Sequence, residues 1–389
     1  MNSTFLKQLK LFFIAINIAL VFLMPDKAFS RNIKVGLIIT EHPITIGSNS
    51  DSSLINLNSK TPVNKTRKKE SYIVQNINGL IKVTHKKSNT VLGSFSGPLK
   101  LVPDKENGLV YCNKSWYRGE LLILTNNDKK NITIVNNLDL EKYLLSVVPS
   151  EIPNHWHKEA LKAQTVAARS YALGYLGRRK AKGYDLESSV EDQVYLGVSV
   201  EKSSTSKAVK ETNGIILIDK NNNPLIALYH SSGGGYTDSI ENLWDDVSPS
   251  EHIQPRPDYD DNSPHFKWYR EFSTATLNSL LKDLKIGEIQ NVTALSRSIA
   301  NRVTWLKITG ASGETLIRGE ELRKFLKLPS SKFNITFDKN SIKFAGRGYG
   351  HGLGLSQWGS KALAEKGLTY DQILSHYYTG AKLVKYTEE

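Results

Sequence analysis

The 389-residue sequence contains a single cysteine, Cys112, so no internal disulfide can form. A chain without disulfides has to be stabilised by core packing, which excludes a small disulfide-stapled extracellular module. A cysteine-rich metal site is excluded as well, and the scattered histidines show no H-E-x-x-H pattern. The sequence therefore predicts no bound metal and no other cofactor.

Long apolar runs are equally scarce, and only "LFFIAINIALVFLM" (Leu11–Met24) stands out. Two lysines precede this run, and "AFS" at 28–30 supplies the small residues of a cleavage site before Arg31. An uncleaved membrane anchor is the alternative, although the run is shorter than the roughly 20 residues that a spanning helix needs. We predict a signal peptide over residues 1–30 and export to the periplasm or cell wall, with no stable membrane span after cleavage.

Acidic residues are fewer than basic ones: the sequence has 51 lysines and arginines but 38 aspartates and glutamates, for a formal net charge of +13. Inside a cell such a balance indicates nucleic acid, but the available polyanions of an exported protein are cell-wall polymers and anionic lipid surfaces. The basic residues are spread over the whole chain, so a role in solubility alone is the alternative. We predict no nucleic-acid partner.

The order of sequence patterns favours an α+β fold. A polar stretch at 48–70 ends in a basic run and predicts a disordered insertion or a long surface loop. Short β-like runs with turn residues follow, which makes residues 31–130 a β-rich N-terminal region. From Asp139 the apolar spacing becomes helical, and residues 131–385 are predicted to form a mixed α/β catalytic domain.

One acidic residue, Glu151, lies between Pro149 and Pro153 in "VVPSEIPNHWHKEALKAQTVAARSYAL". The prolines stiffen the backbone, and the apolar neighbours favour a buried carboxyl group with a raised pKa, as a general acid requires. A helix from about 157 to 182, stopped by Gly183, is predicted to follow. The alternative is an exposed loop acid or a charge at a helix N-terminus.

Two basic residues of that helix, Lys162 and Arg169, are seven apart and therefore share a face. If that face lines a cleft, they bind an anionic or hydroxyl-rich substrate. If it faces outward, they are ordinary solvated charges.

Two glycine-rich segments are candidate binding loops. "YHSSGGGYTDSIENLW" (Tyr229–Trp244) ends a strand, and a serine nucleophile with His230 as base is conceivable, but no G-x-S-x-G elbow supports it. "GRGYGHGLG" lacks the G-K-[ST] ending of a phosphate loop. Its glycines either let the backbone approach a ligand closely, with His351 accessible between them, or form a tight structural turn.

Taken together, these three segments resemble the stage II sporulation protein D family, which includes the amidase enhancer of cell-wall hydrolases. The resemblance covers about residues 131–383 and keeps the order of the motifs. It implies a lytic transglycosylase that cuts peptidoglycan glycan strands between N-acetylmuramic acid and N-acetylglucosamine, with Glu151 as the catalytic residue. The residues predicted to bind substrate are Lys162, Arg169, Tyr229, His230, Ser231, Tyr349, His351 and Gln357.

A lytic transglycosylase can work with one carboxylate, because the C6 hydroxyl of muramic acid attacks its own anomeric carbon, whereas hydrolysis needs a second one. Glu159, Asp192 and Glu241 are the other acids that the sequence leaves open for that second role. Some family members have a zinc site with cysteines, and Cys112 lies outside the matched region. The alternative function is a non-catalytic wall-binding protein that enhances an N-acetylmuramoyl-L-alanine amidase, its partner.

Overall fold

The computed structural model describes residues 31–126, 128, 130–245, 248–338 and 340–386, so the predicted signal peptide lies outside the described residues. The first part of the chain is a succession of strands joined by short turns. These strands are β1 (Asn32–Thr40), β2 (Ile44–Ser48), β3 (Ser52–Asn56), β4 (Thr61–Thr66), β5 (Ser71–Ile77), β6 (Leu80–His85), β7 (Val91–Phe95), β8 (Leu99–Pro103), β9 (Leu109–Cys112), β10 (Ser115–Arg118), β11 (Glu120–Thr125) and β12 (Ile132–Asp139).

Helices and shorter strands follow, which confirms the predicted α+β class. The helices are α1 (Leu140–Glu151), α2 (Lys158–Gly174), α3 (Ser203–Glu211), α4 (Ile240–Leu243), α5 (Thr274–Leu280), α6 (Gly319–Leu326), α7 (Gln357–Glu365) and α8 (Tyr370–Tyr377), with 3₁₀ turns at Lys180–Lys182, Val198–Val200 and Lys282–Leu284. The later strands are β13 (Leu186–Glu187), β14 (Ile215–Ile218), β15 (Tyr229–His230), β16 (Trp268–Ser273), β17 (Ile289–Arg297), β18 (Val303–Gly310), β19 (Gly313–Arg318), β20 (Phe333–Phe337), β21 (Ser341–Gly346), β22 (Leu355–Ser356) and β23 (Lys382–Lys385).

Two large sheets dominate the N-terminal part. One has the strand order β13-β1-β12-β11-β8-β3-β4, and the other has the order β10-β9-β2-β5-β6-β7. Alternate residues of their strands are buried, as in β5, where Tyr72, Val74 and Asn76 point inward. Residues of both sheets and of helices α1 and α2 share one hydrophobic core. Because β1 lies between β12 and β13, the β-rich region and the helical region that follows it are joined within a single sheet.

The expectation of a disordered insertion or long loop at 48–70 is wrong. Strands β3 and β4 pair in this stretch, and β3 pairs on its other side with β8. Leu54 is buried in the core, while β4 forms the edge of the sheet. An edge strand exposes much of its surface, so its polar residues hide the strand pattern in the sequence.

Helix α2 is shorter than predicted, since it ends at Gly174. Its N-cap is His157, whose side chain accepts a hydrogen bond from the amide of Glu159. The alanines of α2 are fully buried, which lets α3, α7, α8 and β14 pack closely around it. The chain then continues through a separate 3₁₀ turn, and that turn ends at Gly183 in the left-handed conformation with φ 87°.

A second hydrophobic core lies inside the predicted catalytic domain. Residues 268–346, here called the inserted unit, form the sheets β16-β21-β20 and β17-β18-β19 with helices α5 and α6. Their buried side chains, among them Leu277, Ile308 and Phe344, form a cluster separate from the main core. The flanking strands β15 and β22 pair in parallel, so the chain leaves the main core beside β15 and returns beside it. Sequence reasoning did not anticipate this core.

Candidate active site

Glu151 is the last residue of helix α1, so it does not lie in the loop corner suggested by the two prolines. The helix begins at the N-cap Asp139, whose carboxylate accepts hydrogen bonds from the first-turn amides. Pro149 lies within its last turn, and Ile152 is the C-cap. Val147 and Val148 are buried in the core and anchor this end of the helix. The carboxyl group of Glu151 is therefore positioned by a packed helix end rather than by loop stiffness.

The side chain of Glu151 lies in a layer of tyrosines. Its Oε1 accepts a hydrogen bond of 3.0 Å from the amide of Val194, and the hydroxyl of Tyr229 is a second hydrogen-bonding neighbour. Gln193 fixes this arrangement, because its Nε2 donates to the Tyr229 hydroxyl at 3.0 Å and its Oε1 accepts from the Tyr143 hydroxyl at 3.2 Å. Because the Tyr229 oxygen accepts from Gln193, its O–H can donate to Glu151.

Burial raises the pKa of Glu151 above its usual range, while the Val194 amide and the Tyr229 hydroxyl act in the opposite direction. The pKa values of Tyr143 and Tyr229 are themselves raised well above the usual value, chiefly by burial and then by the charge of Glu151. Both phenols therefore remain neutral. The site can hold a proton on Glu151 nearer to neutral pH than an exposed glutamate, and it offers donors to the carboxylate once that proton leaves.

Of the three other candidate acids, Asp192 and Glu159 are engaged elsewhere, and Glu241 is an exposed residue in the first turn of α4. The carboxylate of Asp192 pairs with Arg179 at 2.8 Å and also with Arg178. Glu159 accepts a hydrogen bond from the amide of Tyr370 and pairs with a lysine on its own helix. Burial, the Val194 amide and the Tyr229 hydroxyl are the influences on the Glu151 pKa, and no second carboxylate is among them.

His230 and His351 form a pair beside this layer, with ring centroids 5.6 Å apart. The Nδ1 of His230 meets the carbonyl of Leu353 at 3.1 Å, and the Nδ1 of His351 accepts from the amide of Leu353 at 3.0 Å. Gly350 permits the contact, because it has φ +102° and a Cβ there would lie 2.9 Å from the Cβ of His230.

Both histidines are neutral. Burial lowers the pKa of His230 well below its usual value, and His351 and Arg302 add to that effect. Burial and two nearby arginines, Arg323 and Arg302, lower the pKa of His351 to about 3. His351 also packs against the Trp244 ring and hydrogen-bonds the backbone of Tyr229, so it is a structural neighbour of the Glu151 layer and less accessible than its flanking glycines suggest.

Two aspartates that sequence reasoning missed hold the loop after His230. Asp260 accepts hydrogen bonds from the amides of Gly234 at 2.7 Å and Gly235 at 2.8 Å, and from the Ser232 hydroxyl. Asp258 accepts from the amide of Gly233 at 2.9 Å. Burial and the neighbouring Asp260 raise the pKa of Asp258 to about 7. The sequence places both in a Pro- and Asp-rich stretch, and only their spacing of two residues, which puts both on one side of an extended segment, gives a signal.

The two basic residues of α2 do not reach Glu151. Lys162 pairs with Glu211 at 2.8 Å and with Glu159 at 3.3 Å. Arg169 is fully buried, with 0% of its side chain exposed, and makes a two-pronged ion pair with Glu141 at 2.6 and 2.8 Å. The structure therefore gives Arg169 a role in joining helices α1 and α2, which contradicts its predicted contact with substrate.

The remaining predicted residues lie at different depths. Gln357 is buried and donates to the side chain of Gln164 at 3.5 Å. Ser231 is half-buried, and its carbonyl accepts from the amide of Trp358. Tyr349 is 46% exposed and stacks on His265, with centroids 4.7 Å apart. Of the predicted set, Tyr229, His230 and His351 gather around the Glu151 layer, and Tyr349 is the most open to solvent.

A zinc site of the kind implied by the family resemblance does not fit this chain. Cys112 is buried in the core on β9, and burial raises the pKa of its thiol to about 12. A thiol must lose its proton to bind zinc. Across the described parts of the chain, no group of three or more His, Cys, Asp or Glu side chains is arranged to hold a metal ion. Likewise, no helix within residues 31–386, as far as they are described, is long and apolar enough to cross a membrane.

Residues 128–218, which include Glu151, match the Stage II sporulation protein family, and residues 195–354 match a domain of unknown function. Stage II sporulation protein D of Bacillus subtilis (strain 168) is 30% identical over 266 residues, which cover 64% of this chain and 75% of that protein.

Two further relatives are similar at the same level. An uncharacterised protein of Brachyspira hyodysenteriae is 31% identical over 277 residues, covering 69% of this chain and 73% of the relative. The Amidase enhancer of Bacillus subtilis is 30% identical over 297 residues, or 62% of this chain. That match spans 40% of the Amidase enhancer.

Proposed function

The chain belongs to the stage II sporulation protein D family, and from this membership we propose that it is an exported lytic transglycosylase of peptidoglycan with Glu151 as its one acid and base. The membership confirms the resemblance found in the sequence motifs. The observation that carries the proposed activity is the lone carboxyl group of Glu151. Burial raises the pKa of this group, and two hydrogen-bond donors would stabilise its charged form.

The reaction that this arrangement supports has two proton transfers. The protonated carboxyl of Glu151 first gives its proton to the glycosidic oxygen as the bond to the anomeric carbon of N-acetylmuramic acid breaks. The C6 hydroxyl of the same sugar then attacks that carbon, and its proton returns to the Glu151 carboxylate. The products are a 1,6-anhydro end and a free N-acetylglucosamine hydroxyl, and the enzyme is restored without water as a reactant.

The residues around Glu151 suit both halves of this cycle. Burial favours the protonated form before bond cleavage, and the Val194 amide and Tyr229 hydroxyl stabilise the carboxylate that follows. Gln193 keeps the Tyr229 hydroxyl turned toward that carboxylate. A reaction with an internal nucleophile needs one acid and no second carboxylate, whereas a two-carboxylate hydrolase would place a second carboxylate close to Glu151.

The test is to incubate the purified mature protein with glycan strands, with and without stem peptides, and to search the products by mass spectrometry for 1,6-anhydro ends. Glu151→Gln is expected to lose cleavage by about a thousandfold or more while keeping glycan binding. The matched control is Glu191→Gln, which changes an exposed acid two residues before Gln193. Absence of anhydro ends on every strand type would refute the activity, and reducing ends would indicate hydrolysis instead.

The second candidate is a non-catalytic enhancer of a cell-wall amidase, and it is favoured by the relative named Amidase enhancer. In that case the protein binds the wall or the amidase, and Glu151 has no chemical role. An amidase assay separates the two: Glu151→Gln would stimulate the amidase as well as the wild type does, and neither protein would produce anhydro ends.

A further inference from the structure

A cavity of about 460 Å³ lies in the inserted unit and at the two residues that flank it, and basic and aromatic side chains line it. We call it the basic pocket. Its charged lining consists of Lys267, Arg297, Lys332 and Arg347, and its aromatic lining consists of Trp268 and Phe333. Cavities of roughly 300–1,000 Å³ are the size that binds small molecules or one segment of a polymer.

The basic pocket has no acidic residue among its lining side chains. Within the described residues, none of its four cationic side chains forms an ion pair, whereas other cations of the same unit do. Lys307 pairs with Glu314 at 2.7 Å, for example, and Lys343 pairs with Asp338 at 3.1 Å. Like charges brought together repel one another, and no described acid lies within ion-pair distance to offset that repulsion, so an anion that joins the four cations stabilises their arrangement.

The cationic groups are held in place by neutral partners. The guanidinium of Arg297 donates to the carbonyl of Asn301 at 3.3 Å and to the side chain of Asn334 at 3.2 Å. The ammonium of Lys332 donates to the carbonyl of Gly234 at 2.8 Å, and the Arg347 guanidinium lies 5.5 Å from the Phe266 ring. Among the described residues, these hydrogen bonds use two N–H donors of Arg297 and one of Lys332, so most donors of these two groups remain for a ligand.

We propose that the basic pocket binds a ligand carrying two or more oxyanion groups, either phosphate esters or carboxylates. A single negative charge would leave most of the four cations uncompensated, whereas a multiply charged oxyanion satisfies them with charge-assisted hydrogen bonds. The position of Lys332 connects this site to the glycine loop beside His230, because Gly234 belongs to that loop. The inference goes beyond the proposed glycan cleavage and does not depend on it.

Protonation of Lys332 makes the affinity of the basic pocket for anions depend on pH. Burial lowers its pKa to about 8, with Arg302 and Arg347 acting in the same direction and Asp260 and Asp238 acting in the opposite one. A bound anion favours the charged lysine, so the affinity for anions is expected to fall as the pH rises from 7 to about 9.5. The two arginines of the lining are charged throughout that range, so they do not contribute to this decline.

Isothermal titration calorimetry on the mature protein at low ionic strength tests the proposal, with tripolyphosphate and citrate as the two probes. Arg297→Gln and Lys332→Gln are each expected to weaken binding by about tenfold or more, as loss of a charge-assisted hydrogen bond does. Lys343→Gln, at a paired lysine of the same unit, and Glu151→Gln are expected to bind like the wild type.

Tighter binding of tripolyphosphate would identify a phosphate ligand, and tighter binding of citrate a carboxylate ligand. No binding of either probe, or wild-type binding by both pocket variants, would overturn the proposal. Because Glu151→Gln serves as a control for anion binding and as the knockout for cleavage, failure of one proposal is distinguishable from failure of the other.

Discussion

At the scale of single residues, some neighbours of Glu151 favour its protonated form and others favour its charged form. Burial opposes the charged form, and the Val194 amide and the Tyr229 hydroxyl support it. A group that must act first as an acid and then as a base needs this balance, because a strong preference for either state would slow one of the two transfers.

Tyr229→Phe tests this balance. The hydroxyl of Tyr229 lowers the pKa of Glu151, so its removal is expected to raise that pKa. A general acid is active below its pKa, so the alkaline limb of the pH profile of kcat/KM moves to higher pH by the same amount. The matched control is Tyr349→Phe at an exposed tyrosine, which is expected to leave the limb in place. An alkaline limb that stays put in Tyr229→Phe, or moves to lower pH, would contradict the assignment.

Sequence reasoning identified some of these residues and missed others for physical reasons. Glu151 remains a prediction, and it stands out in the sequence because its motif occurs together with two others in a fixed order. A spacing of seven says that Lys162 and Arg169 share a helix face, but the partner that decides where Arg169 points, Glu141, lies on another helix. Gln193 had no signal, since a buried glutamine is recognised only from the side chains that surround it.

At the scale of elements, the glycine-rich segment at 346–354 joins the inserted unit to the main core. Arg302 of the inserted unit is fully buried and donates to the carbonyls of Gly233 at 3.2 Å and Gly350 at 3.4 Å. Its guanidinium occupies the space beside Gly352, where a Cβ would lie 2.1 Å from Nη2. Gly352 of this motif therefore allows the close approach of an arginine from the chain's own inserted unit.

Gly352→Ala measures the contribution of that approach. The substitution combines strain at φ +85° with a clash against a buried arginine, and it is expected to lower the free energy of unfolding by about 2–4 kcal/mol. Gly367→Ala is the matched control, because Gly367 has φ +93° and nothing within 4 Å of its added Cβ. That variant is expected to lose only about 1 kcal/mol. Equal losses in urea unfolding would mean that contact with Arg302 contributes nothing.

Among the elements, the strands and helices with clear apolar spacing were the ones that sequence patterns predicted. Helix α1 matches its helical spacing, whereas β3 and β4 did not show a strand pattern because β4 is a polar edge. The core of the inserted unit could not be foreseen, since its strands look like any others until their partners are known.

At the scale of the whole molecule, two buried histidines and a buried aspartate change the stability with pH in opposite directions. The lowered pKa values of His230 and His351 mean that the unfolded chain gains protons first as the pH falls below about 6.5, so their contribution to stability declines there. The pKa of Asp258 is raised to about 7 in the folded state, so its contribution runs the other way and declines as the pH rises from about 4 to 7.

Asp258→Asn removes the contribution of Asp258 to the pH dependence of stability. In the wild type the two trends partly cancel between pH 4 and 6.5. In the variant the histidines act with less compensation, and the free energy of unfolding is expected to rise with pH more steeply, by up to about 1.4 kcal/mol per pH unit. Urea unfolding at a series of pH values provides the measurement. Parallel curves for the two proteins would show that Asp258 titrates alike in the folded and unfolded chains.

Strand β1 pairs in the large sheet with strands that lie far along the chain, and this affects the order of folding. This strand pairs with β12 and β13, so Asn32 meets Asp139, and Val35 meets Leu186. Pairings so distant along the chain form late, because a long loop must close before they contribute. A nascent chain that has exposed only its first hundred residues contains β1 without either of its neighbours, so this end of the seven-stranded sheet forms only after residues 132–187 have followed.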